Sequence, residues 1–149
     1  MKELPKRFTD AVTKLYTAFH NGKLNAFKCS ACAVGNIIGH GNWSGIHHQF
    51  NNGKLCLYKQ NIISSYDQYE NVTNNSGYSL RELSEVEYVF LKEWEKENST
   101  KGTDKEIQFK GLEAVVKYLC ELDDIPNVMD YTSLFEFNEN NEPVKELSI

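Results

Sequence analysis

Apolar residues recur with a helical period from the start of the chain. Phe8, Val12, Leu15, Tyr16 and Phe19 stand at i, i+4, i+7, i+8 and i+11, which is one face of a 3.6-residue repeat. The pattern predicts a helix over 5–20. Pro5 suits a first turn that has no use for its missing N–H, and Asn21-Gly22 supplies the stop. Ala31, Val34, Ile37 and Ile38 make the apolar face of a shorter helix over 30–39, with Ser30 as its N-cap and Gly39 as its end. Helical spacing returns after residue 78. Ser79-x-x-Glu82 and Ser84-x-x-Glu87 both match the capping box, in which hydroxyl and carboxylate each satisfy an orphan N–H. The spacing predicts a turn over 79–83 and a helix over 84–97 that buries Val86, Val89, Phe90 and Trp94. A third box, Thr103-x-x-Glu106, opens a helix to about Leu122, with Ile107, Leu112, Val115, Val116, Leu119 and Leu122 inward. Pro126 cannot continue it.

The stretch 40–78 carries no such period. Gly41, Gly45, Asn51, Asn52 and Gly53 punctuate it. "NNGKLCLY" reads as a turn into a short strand around Leu55 to Tyr58, and "NIISSY" as a second strand or a helical turn. "ENVTNNSG" is a polar loop. Beyond the last helix, "TSLFEF" is apolar enough to dock, as a strand, and "NENNEPVKELSI" reads as a frayed, acidic, Asn-rich end. No internal repeat occurs. The expected fold is mainly α: a single compact domain of about four helices, with an irregular middle segment and a small β element near residues 54–64. The globular part is 1–137 and the tail 138–149.

Composition narrows the function classes. At 149 residues, with 40% hydrophobic and 25% charged positions, the chain fills one core. The net charge is -5, and Arg7 and Arg81 are the only arginines among 16 basic residues. Nucleic-acid binding draws much of its affinity from phosphate neutralisation, so that partner is disfavoured. No run approaches the roughly 20 apolar residues that span a bilayer, and "MKELPKRFTDAV" lacks the apolar core of a signal peptide. A soluble, cytoplasmic protein is expected, in which the four cysteines stay reduced.

Those cysteines are the candidate chemistry. "FKCSACAVGNIIGH" sets Cys29 and Cys32 three apart before a helical run, and three readings stand. A tetrahedral ion would take both thiolates and two further ligands. Cys29, Cys32, His47 and Cys56 form the set taken forward, with Cys120 and His40 as alternates and zinc or iron as the metal. A redox pair would place Cys29 at the positive end of a helix, but thioredoxin-like motifs follow a strand in a βαβ pattern, which is missing. Two small thiols packed as core residues is the third reading. His47 and His48 are adjacent and diverge on any regular backbone, so one of them at most joins a site. Glu82, Glu85 and Glu87 read as helix-start carboxylates, and no GxxxxGK[ST], GxGxxG, HExxH or GxSxG occurs.

At "CSACAVGNIIGHGN", "GYSLRELSEVEYVFLKEW" and "GLEAVVKYLCELDDIPNVMDY" the chain resembles a family of small bacterial proteins. Its members often carry the label of the sodium-translocating NADH-quinone reductase, as its flavin- and NADH-binding component. The likeness covers about residues 5–131 and implies one cohesive domain. A ferredoxin-type Cys-x5-Cys-x2-Cys ending on Cys29 and Cys32 would need a cysteine at position 23, where Lys23 stands. An iron–sulfur cluster of that type therefore does not carry over. The leading expectation is a small soluble cytosolic domain that binds zinc or iron through its Cys-x-x-Cys. The alternative is a non-catalytic accessory or regulatory protein that acts on a protein partner and keeps its cysteines as core. No convergent set of acid, base and nucleophile points to an enzyme.

Overall fold

Each of the three long helices starts and stops on local chemistry. The computed structural model describes residues 3–28, 31–38, 48–51, 54–57 and 76–149, with backbone alone at 48–51, 54–57 and 80. Helix α1 is Lys6–His20. It closes on Gly22, whose φ of 69° lets Gly22 N–H reach Phe19 O and Lys23 N–H reach Ala18 O, the paired bonds of a Schellman ending. Helix α2 is the short segment Ala33–Ile38.

Helix α3 is Leu80–Glu97, one unbroken helix of 18 residues. The expected turn over 79–83 with a fresh start at Ser84 is therefore corrected. Ser79 and Glu82 form the full capping box, nothing helix-breaking follows, and Leu83 joins the buried stripe at 0% exposure. Helix α4 is Lys105–Leu122, with the end predicted. Its cap is Asp104 rather than Thr103, because the Asp104 carboxylate accepts from both Glu106 N–H and Ile107 N–H. A carboxylate also answers the positive end of the helix dipole, which a hydroxyl does not. The same paired bonds end α3 at Asn98 and α4 at Asp124, both at a φ of 51°. Asparagine and aspartate thus serve where glycine is usual.

Helices α3 and α4 run antiparallel, joined by the turn 98–104. Trp94 Nε1 donates to Lys101 O at 2.8 Å inside that turn. Helix α1 packs on α4, and α2 sits between α1 and α3. Lys14 Nζ donates to Ile37 O at the end of α2. Buried Gln108 donates to Leu24 O and Gly102 O, which ties the α1–α2 connection to the α3–α4 turn. Phe8, Leu15, Phe19, Phe90, Trp94 and Leu119 lie in the shared core, each at 1% exposure or less.

The small β element is real. β1, His48–Asn51, pairs antiparallel with β2, Lys54–Leu57, with Asn51 opposite Lys54 and His48 opposite Leu57. β2 packs on α3. The element starts six residues earlier than 54; whatever follows residue 57, including "NIISSY", lies outside the described residues. After α4 come α5, Met129–Thr132, and a 3₁₀ turn, Ser133–Phe135. "TSLFEF" docks as expected, with Leu134 and Phe135 buried, but as a tight turn and not as a strand. The segment 138–149 folds back: Phe137 bridges Pro143, Tyr16 Oη donates to Lys145 O, and Lys145 Nζ to Ser133 Oγ.

Candidate functional site

Cys32 stands immediately before α2, at 1% exposure. Gly35 N–H donates to its Sγ at 3.3 Å, and the Asn36 side-chain amide holds the Ala31 and Cys32 carbonyls at 3.0 and 2.9 Å. The thiol is therefore fixed in place by the first turn of the helix behind it. Across from it lies Glu87 of α3, at 0% exposure. The Cys32 thiol hydrogen-bonds to the Glu87 carboxylate, and Val34 N–H donates to Glu87 Oε1 at 3.4 Å, a long bond. Glu87 Oε2 has no hydrogen-bond partner among the described residues.

Burial drives the chemistry of the pair. It pushes the Glu87 carboxyl up to about 7, against the smaller opposing pull of the Cys32 and Val34 bonds. A carboxyl there does not lower the thiol's proton affinity, because a neighbouring negative charge disfavours thiolate. Cys32 is consequently no activated redox nucleophile. A thiol and a carboxyl sharing one proton are, however, a sulfur and an oxygen donor aimed at one point.

Of the residues expected at a metal site, Cys32 alone has a described side chain among the four taken forward. Cys29 and His47, and His40 among the alternates, lie outside the described residues. Cys56 is on β2, described in its backbone. Cys120 is buried on α4 in different company: Asp123, Tyr78 and Tyr131 share its field, and burial pushes its thiol up to about 11. Among the described residues no three of His, Cys, Asp and Glu converge on a point that could hold an ion.

Glu87 escapes the sequence reading for a definite reason. As the last residue of Ser84-x-x-Glu87 it resembles a capping carboxylate. In the intact α3 it stands four residues after Leu83 and four before Leu91, both buried, so it occupies the middle of the apolar stripe. A carboxylate at that position is the available signal, and the wrong helix start hides it.

A second polar cluster braces the far end of α3. Arg7 lays Nη2 on Asp123 Oδ1 at 2.6 Å and Nε on both Asp123 oxygens. Its Nη1 donates to Gly77 O at 2.9 Å, and its guanidinium lies 4.5 Å over the Tyr78 ring. Glu82 adds a longer contact at 3.6 Å. The cluster ties α1, the entry to α3 and the exit of α4 together, and its acid is neutralised by its base. It reads as a structural clamp.

Cavities lie elsewhere on the molecule. One of about 470 Å³ is lined by Glu106, Phe109, Lys110, Glu136, Phe137 and Val144. No described residue lining it is a thiol or a histidine, and neither Cys32 nor Glu87 opens into it. No described helix is long and apolar enough to cross a membrane. Compared with protein-family models, curated proteins and solved structures, the chain matches none.

Proposed function

We propose that this chain is a small metal-binding protein, cytoplasmic and non-enzymatic, that holds one zinc or iron ion where α2 meets α3. Cys29 and Cys32 supply thiolates, and His47 or Cys56 reaches in from the hairpin side. The observation that carries the reading is topological: the segment bearing Cys32 and the strand bearing Cys56 both pack on α3. The two cysteine-bearing parts of the sequence thus meet one helix, although they lie far apart along the chain. In this reading the ion staples the irregular middle of the chain to the helical core. Structural zinc sites contribute folding free energy directly. Cys120, with its own neighbours at the clamp, is the weaker of the alternates.

The test is elemental analysis of tag-free protein purified under reducing conditions, beside Cys32→Ala. About one equivalent of zinc or iron in the parent, and its loss in the variant, supports the site. Less than roughly a tenth of an equivalent in the parent removes it. The second reading then stands: a non-catalytic protein that works through its surface on a protein partner. What favours it is that Cys32 already packs as a core thiol, with a bond from Gly35 N–H and one to Glu87.

A further inference from the structure

Glu87 is an expensive residue to keep where it is. A buried carboxylate requires a cation, several donors, or its proton. The described ion pairs use Lys6, Arg7, Lys96 and Lys110, and none of them reaches Glu87. Its Oε1 receives a single long backbone bond, and Oε2 none among the described residues. A glutamine would fit the same space without a charge. The carboxylate therefore needs a partner that its packing does not show, and the sulfur of Cys32 is the metal-ligating atom already bonded to it.

The geometry of that pair fits a metal. A thiol hydrogen-bonded to a carboxylate holds its sulfur and oxygen at a hydrogen-bond separation. Two ligands on one tetrahedral zinc, with Zn–S near 2.3 Å and Zn–O near 2.1 Å, are separated by about the same distance, roughly 3.5 Å. An ion can thus replace the shared proton with little movement of either side chain.

We propose that Glu87 is the oxygen ligand of the ion, and that with Cys32 it makes a sulfur–oxygen donor pair. This deepens the metal-site reading above and rests on it. The mixed set narrows the metal. Thiolate disfavours magnesium and calcium, and carboxylate disfavours copper(I), leaving a borderline divalent ion, zinc or ferrous iron. Binding breaks the S–H bond of Cys32 and forms a metal–sulfur bond. The thiol proton, and the carboxyl proton if present, leave to solvent, and no electron is transferred.

The experiment is a cobalt(II) titration of reduced, tag-free protein, read by its visible ligand-field bands and its thiolate charge-transfer band, followed by zinc competition. Glu87→Gln keeps the side-chain shape. In that variant the charge-transfer band is expected to persist, with shifted ligand-field bands. Cobalt affinity is expected to fall by at least the roughly 10- to 100-fold that loss of a mere outer-shell partner costs. An E87Q protein with unchanged affinity and spectrum overturns the role of Glu87 and leaves the thiolate site standing. A parent that binds neither cobalt nor zinc overturns both. Should E87Q fail to fold, Glu87→Asp takes its place: its shortened carboxylate must shift the ligand-field bands and weaken binding, and an unchanged spectrum and affinity refute the proposal.

Discussion

Gly111→Ala sets two effects of known size against each other. Gly111 lies inside α4, where alanine is favoured over glycine by about 1 kcal/mol. On propensity alone the substitution stabilises. The packing says otherwise. A Cβ on residue 111 would stand 2.7 Å from Phe90 Cδ1, 3.0 Å from Phe90 O and 3.1 Å from Phe90 Cε1. Carbon atoms in good contact sit about 3.5–4.0 Å apart. The ring cannot swing aside freely, because Phe90 is at 0% exposure and its centroid lies 4.9 Å from that of Trp94. The Phe90 carbonyl belongs to the α3 backbone and cannot turn away. Relief must come from moving α3 off α4, and overpacking of this kind costs roughly 1–3 kcal/mol, occasionally more. The steric term is the larger, so G111A is expected to lose about 1–2 kcal/mol net, worth roughly 2–8 °C in Tm at this chain length. Urea unfolding followed by circular dichroism measures it. A midpoint equal to or above that of the parent, with an unchanged m-value, would show that the α3–α4 seam is looser than these distances imply.

Two further outcomes follow from the polar contacts. His20 gives its Nε2 to Leu134 O at 2.8 Å, and its Nδ1 is buried without a partner among the described residues. Burial lowers its pKa, with Lys105 adding to the effect and the Leu134 bond opposing it. Because the folded value lies below the unfolded one, stability is full above about pH 6.5 and is lost as pH falls through the folded pKa. His20→Gln is expected to flatten the difference in unfolding free energy between about pH 7.5 and 5.5, and an unaltered slope would place the titration elsewhere. Arg7→Lys keeps the charge but loses the two-pronged grip on Asp123 and the stack on Tyr78. It is expected to cost about 1–3 kcal/mol in the same urea assay, and a loss within about 0.5 kcal/mol, the usual range for surface substitutions, would make the clamp ornamental.

The helices are legible because their determinants are local. The α1 stripe, the Ser79 box and the stop near Leu122 can all be read within a few residues of where they act. The misplaced start of α3 shows the limit of such signals. The capping boxes at Ser79 and Ser84 are equally good in sequence, and the choice between them is made by Leu83 finding a place in the core. That choice moves Glu87 from a helix end to the helix middle, and with it the part of the candidate site that the sequence does not suggest. Cys32 stands out for its spacing to Cys29. Its described partner comes instead from a distant helix, 53 positions from the Val34 that it also binds, a separation that no motif spacing records. The Arg7 clamp has the same character: its members span 116 positions, and neither Arg7 nor Asp123 stands out in the linear order.

Helix α1 is completed by residues far downstream. His20 waits for Leu134, 114 positions later, and Tyr16 for Lys145, 129 positions later. On a translating ribosome moving at roughly 5–20 residues per second, these partners emerge about 6–25 s after the helix they close. Phe8, Val12, Leu15 and Phe19 have no complete cover during that interval. The chain thus folds as a whole after most of it has been made, and the interval before release is when it is most open to aggregation and to chaperone capture.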